Sequence, residues 1–69
     1  MTRNADSIFH ADTDTQVAYI LQQCAESTDG GVRCDWMPRA GANEAQLTGL
    51  VDAECGRLFL TRKGREALA

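Results

Sequence analysis

The stretch GLVDAECGRLFLT, residues 49–61, constrains the fold of this chain more than any other. Two apolar runs, Leu50-Val51 and Leu58-Phe59-Leu60, lie on either side of DAECGR. Glycine takes the left-handed backbone conformation without steric cost, so Gly56 suits a tight reversal with a bulge between two antiparallel strands. Read this way, the strands are Leu50–Ala53 and Arg57–Leu60. The competing reading is one helix from Glu44 to Glu54, with Leu47, Leu50, Val51 and Glu54 at helical spacing. Gly49 speaks against it, since glycine inside a helix costs about 1 kcal/mol relative to alanine. The hairpin is the expected structure.

Upstream, DTDTQVAYILQQCAESTDGG gives the clearest helix, expected over residues 13–28. Val17, Ile20, Leu21 and Cys24 recur at the i, i+3, i+4, i+7 spacing of a buried stripe. Thr13 with Gln16 forms a capping-box pattern, and Asp12 and Asp14 suit the positive end of the helix dipole. Gly30-Gly31 is the expected stop. Residues 1–11 have no apolar period and read as a flexible N-terminal arm, whose Ile8 and Phe9 can dock on the core or on a second subunit. The remainder, residues 12–69, reads as a single domain.

Between helix and hairpin, Val32-Arg33-Cys34 reads as a short strand. Pro38 disfavours helical geometry at Met37, although a helix can begin with proline in its first turn. Gly41 reads as a chain break, and Asn43 with Gln46 as a second capping pattern, which places a short helix over residues 44–48. At the far end Thr61 is the expected cap of a last helix, with Ala67 and Leu68 turned toward the core beside Leu58 and Leu60. Gly64 in its first turn permits close approach to the layer beneath. Arg62, Lys63 and Arg65 oppose the dipole of that helix at a cost of roughly 0.3–1 kcal/mol when exposed.

Size and charge narrow the functional classes. A chain of 69 residues supports one domain, with a net stability of roughly 3–5 kcal/mol from its core. Its net charge is −3, unevenly spread: residues 1–30 carry one cation against five carboxylates, and residues 31–69 carry six cations against five. Any electrostatic footprint for nucleic acid is thus confined to the C-terminal part. Three cysteines, Cys24, Cys34 and Cys55, make an odd set without zinc-type spacing, so neither a closed disulfide framework nor a metal site is expected. They read as reduced thiols. No apolar run reaches transmembrane length and the N-terminus lacks the apolar segment of a secretion signal, so the expected location is cytoplasmic. No catalytic motif or cofactor fingerprint is present, and no enzyme activity or cofactor is expected.

With the elements in place, GLV, DAECGR, LFLT and RKGREAL in succession resemble the C-terminal end of winged helix-turn-helix domains. The resemblance covers residues 49–68, less than a third of the chain. It implies an α+β fold: a small winged-helix-like domain of about three helices with a two- or three-stranded antiparallel β-hairpin wing. The first helix and the short strand after it fit the same order. Only residues 32–48 remain for the helix-turn-helix pair, and the second helix, NEAQLTG, offers no arginine or lysine, the residues that most often read guanine.

The resemblance implies a small DNA-binding transcriptional regulator. Asn43, Gln46 and Thr48 on the second helix would face the bases, Arg57 would sit on the wing, and Arg62, Lys63 and Arg65 would meet phosphates of double-stranded DNA. A homodimer, formed through the first helix and the Ile8-Phe9 arm, would double the cation count. The alternative is an acidic protein-interaction module or inhibitor, of the kind found in phages and mobile elements, that keeps the scaffold without the DNA face. Its acidic half would then meet a basic protein. Trp36 and Met37 are the candidate partner anchors in either case, since tryptophan is enriched at interaction hot spots; the competing reading buries Trp36 in a core with few other aromatics.

Overall fold

Apolar residues at helical spacing build the first element. The computed structural model describes residues 8–27 and 31–68, and helix α1 runs over Thr13–Glu26. Ile20, Leu21 and Cys24 are buried along it, with Val17 packed at their edge. Its start differs from the expected capping box. Asp12, one residue before Thr13, accepts the Thr15 N–H at 3.2 Å and fills the cap position, while Gln16 turns inward. Hydrogen bonds from the Thr15 side chain and backbone hold the Asp12 carboxyl below the usual carboxylate range. The expected stop at Gly30 lies outside the described residues; α1 ends with Ser27 in extended geometry. Ser27 Oγ donates to Gly31 O at 2.9 Å.

Strand β1, Val32–Arg33, leads into a 3₁₀ turn over Cys34–Trp36. Helix α2 then spans Arg39–Leu47, five residues earlier in its start than the sequence suggests. Gly41 does not break it, and Asn43 lies within it rather than capping it. Pro38 occupies the cap position with φ −64° and ψ 129°, extended geometry that proline accepts before a helix. The C-terminal end is closed by Gly49, at φ 78°. Leu50 N–H bonds back to Ala45 O at 2.9 Å and Gly49 N–H to Gln46 O at 3.1 Å, a Schellman pair that turns the chain into the sheet.

The hairpin is present. Strands β2, Val51–Glu54, and β3, Arg57–Leu60, pair in antiparallel register from Val51 with Leu60 to Glu54 with Arg57. Because the register has no offset, there is no bulge. The reversal is a two-residue turn in which Cys55 (φ 52°) and Gly56 (φ 77°) both take left-handed geometry, as the twist of a type I′ hairpin demands. Strand β1 adds to the other side of β3, with Val32 opposite Leu58 and Arg33 opposite Arg57, so the sheet order is β1-β3-β2.

Helix α3, Arg62–Leu68, closes the fold. Thr61 caps it as expected, accepting the Gly64 N–H at 3.1 Å. Gly64 is the buried contact of this helix; a Cβ there would meet the carbonyl oxygen of Leu50. Ala67 is exposed and Leu68 is 38% exposed, so the expected seating of these two in the core is not found: the close approach at Gly64 does that work. Ile20, Leu21, Ala45, Val51 and Leu58 form the centre of a core shared by α1, α2 and the sheet. The result is an α+β domain with three α-helices and a three-stranded antiparallel sheet among the described residues. No described helix is long and apolar enough to cross a membrane.

Candidate nucleic-acid interface

Helix α2 turns Gly41, Ala42 and Ala45 into the core and leaves the opposite side to solvent. Starting the helix at Arg39 changes what that side offers. Arg39, Asn43 and Gln46 fall at i, i+4 and i+7, and all three are exposed. They line one groove of about 310 Å³ against the 3₁₀ turn, where Cys34, Asp35 and Met37 form the other wall. Arginine, asparagine and glutamine are the side chains that make two-point hydrogen bonds to base edges. Arg39 was missed in the sequence because Gly41 read as a break; Pro38 ahead of it and the 39-43-46 spacing are the signals that mark it.

Thr48 does not line this groove. Its Oγ1 donates to Glu44 O at 2.9 Å and lies 3.3 Å from Ala45 O, folded back on its own helix. Leu47 beside it, the last residue of α2, is 83% exposed.

In the hairpin, Cys55 and Gly56 form the tip, with Glu54 and Arg57 facing each other across its base. Arg57 Nη1 donates to Gly31 O at 3.4 Å. Its other cross-strand neighbour is Arg33. Like charges placed opposite in a sheet repel. Arg33 is drawn away by two contacts: its guanidinium lies 5.1 Å from the Trp36 ring centroid and 3.6 Å from the Asp35 carboxylate. Both side chains of that ion pair are solvent-exposed, so it contributes little to stability.

Arg62 and Lys63 are exposed in the first turn of α3. The stem of Lys63 reaches Gly49: its Cδ lies 3.9 Å from where a Cβ on that glycine would stand. This places a cation near the C-terminal end of α2, where the negative end of the helix dipole offsets part of the penalty at the start of α3. Neither Arg62 nor Lys63 lines the α2 groove, and nor does Arg65. It lines a second groove of about 580 Å³ with Cys24, Phe59, Leu60 and Leu68, between the end of α1 and α3.

Of the proposed partner anchors, Trp36 is 67% exposed, and the burial that its size suggested is not found. Pro38 is fully buried and the half-buried Met37 packs against the core. Ile8 is half-buried and Phe9 is 49% exposed, in a helical turn closed by Ala11 N–H to Ile8 O at 3.2 Å. Residues 1–7 of the expected arm lie outside the described residues. The cysteines are free thiols; Cys24 Sγ donates to Leu58 O at 3.5 Å, and burial, with Cys34 nearby, pushes its thiol up. Among the described residues no group of His, Cys, Asp and Glu could hold a metal ion.

Comparison with family models, curated proteins and solved structures gave no match.

Proposed function

We propose that this chain is a small winged-helix-like DNA-binding protein of the cytoplasm, acting as a transcriptional regulator. The observation that carries this reading is the exposed stripe Arg39-Asn43-Gln46 on one face of α2. These side-chain types discriminate guanine and adenine in the major groove. The order of helix, short strand, helix, hairpin and helix supports this reading, with the 3₁₀ turn Cys34–Trp36 standing where the resemblance implies a further helix. Arg57 at the wing and Arg62 and Lys63 beside the end of α2 supply phosphate contacts. Because the chain is acidic overall, two or three such contacts make weak binding, and a homodimer on a two-fold site would raise it.

A second reading has its own support. Leu47 and Trp36 are large, apolar and mostly exposed, which suits a protein interface with a basic partner better than a phosphate backbone.

Selection from a random duplex pool at low salt, followed by anisotropy titrations, separates the two. The regulator reading expects an enriched sequence. Arg39→Ala should relax preference at one base pair by about 1–3 kcal/mol. Arg62→Ala/Lys63→Ala should weaken all sequences alike and lower the salt slope by about two. No duplex binding at low salt ends the DNA reading and leaves the interaction module.

A further inference from the structure

Gln16 is the one buried polar side chain identified among the described residues, 4% exposed. Its Nε2 lies 3.1 Å from Ile8 O, 3.4 Å from Phe9 O and 3.2 Å from Ala11 O, so two hydrogens serve three carbonyls of the N-terminal turn. Its Oε1 accepts the Gly41 N–H at 2.8 Å. That N–H belongs to the first turn of α2, where backbone donors have no partner inside the helix. Pro38 has no side-chain acceptor to offer them. Gln16 therefore does for α2 what a cap residue does, from 25 positions away and on another helix. Gly41 is the residue that admits it: a Cβ there would meet Gln16 Cβ, and Ile20 Cδ1 at 3.1 Å.

We propose that residues 8–11 act as a latch on α2, transmitted through the Gln16 amide. A buried amide is stable only with its donors and acceptor satisfied. While the N-terminal turn is seated, its carbonyls orient the amide and the amide holds the first turn of α2, which carries Arg39. When the turn is displaced, Nε2 loses its acceptors, Gln16 swings toward water and the Gly41 N–H is released. Phe9, half-exposed on that turn, is the handle by which a partner with an apolar pocket would pull it. The consequence for base reading rests on the proposed role of α2; the mechanical coupling does not.

Amide exchange by NMR on the full-length chain tests it. Ile8→Ser weakens the seat of the latch without touching Gln16, and Gln16→Met removes both sets of bonds at similar volume. In each, exchange at Gly41 should rise by about tenfold or more while Val51 and Leu58 in the sheet stay protected. Should Gln16→Met fail to fold, Ile8→Ser alone decides. Unchanged exchange at Gly41 in Ile8→Ser overturns the latch, and so does a uniform rise across the sheet, which marks general loss of stability. A parallel DNA titration of Ile8→Ser should show relaxed preference at the Arg39 position with an unaltered salt slope. If no variant binds DNA, the regulator reading fails while the exchange result still settles the coupling.

Discussion

The two halves of this domain are fastened differently. From Gly49 onward, nearly every turn is closed by groups a few residues apart: the Gly49 Schellman pair, the Cys55-Gly56 reversal and the Thr61 cap. The α1–α2 contact instead adds to its apolar packing a side-chain hydrogen bond across 25 positions, from Gln16 to Gly41. Both halves nevertheless depend on a helical glycine with no space for a methyl group. At Gly64 the obstacle is the carbonyl oxygen of Leu50, which also accepts the Thr61 N–H at 3.1 Å. At Gly41 it is the Cβ of Gln16, with the Gln16 backbone carbonyl carbon at 3.0 Å.

This contrast predicts the largest effects. Gly64→Ala drives a methyl group into backbone that is pinned by a strand and a cap, and should cost about 3 kcal/mol, the upper end of overpacking. Against a net stability of roughly 3–5 kcal/mol, that leaves about 0–2 kcal/mol, so a measurable fraction of the domain is unfolded at 37 °C. Gly41→Ala meets first a side-chain carbon, Gln16 Cβ, rather than a backbone oxygen, and at either site alanine returns about 1 kcal/mol of helix propensity. Its net cost should be about 1–2 kcal/mol, with the Gln16–Gly41 bond lost. Urea midpoints rank the two; a larger loss at Gly41 would show that the long-range fastening, not the local one, bears the fold.

The same division decides what could be read from the sequence. The hairpin, the Thr61 cap and the close approach at Gly64 were legible because turn and cap chemistry is local: Gly56 sets the reversal at its own position and Thr61 caps Gly64, three positions on. The helix α1 was legible from its apolar period. The start of α2 was not. Gly41 in isolation reads as a break, since its reason for being glycine is Gln16, which lies in another element. The same blind spot hid Arg39 from the candidate site and made Gln16 look like half of a capping box, when its partners are Ile8, Phe9, Ala11 and Gly41. Trp36 had two readings, and single-residue burial tendencies could not choose between them: it ends the 3₁₀ turn mostly exposed, while Pro38 two positions on is buried.

Thr61 tests how local the C-terminal half is. Its Oγ1 accepts the Gly64 N–H and also donates to Gly49 O at 2.6 Å, joining the start of α3 to the end of α2. Thr61→Val keeps the shape and removes both bonds. A cap alone accounts for about 1 kcal/mol; with the Gly49 bond included the cost should approach about 2 kcal/mol. In Thr61→Ser, which keeps the hydroxyl, most of that should return. A loss in Thr61→Val no greater than the cap alone would mean that the bond to Gly49 adds nothing, and that α3 is held by Gly64 packing rather than by its link to α2.

The smallest effect is expected where the locality is most complete. Cys55 holds φ 52° in the first position of a type I′ turn, a conformation in which a Cβ-bearing residue other than asparagine or aspartate is strained. Its side chain is exposed, so nothing in the core depends on it. Asn-Gly is the preferred pair for this turn, because both central residues need positive φ. Cys55→Asn should therefore stabilise the domain by about 0.5 kcal/mol, and Cys55→Val should destabilise it by about 1 kcal/mol, since a β-branched side chain tolerates the left-handed region least. Neither change should alter exchange at Gly41, because the turn and the latch share no atoms. A shift at Gly41 in Cys55→Asn would break the separation between the two halves, and the Cys34 N–H gives the hairpin tip a route to α2: it donates to Gly56 O at 2.9 Å, and Cys34 stands in the wall of the α2 groove.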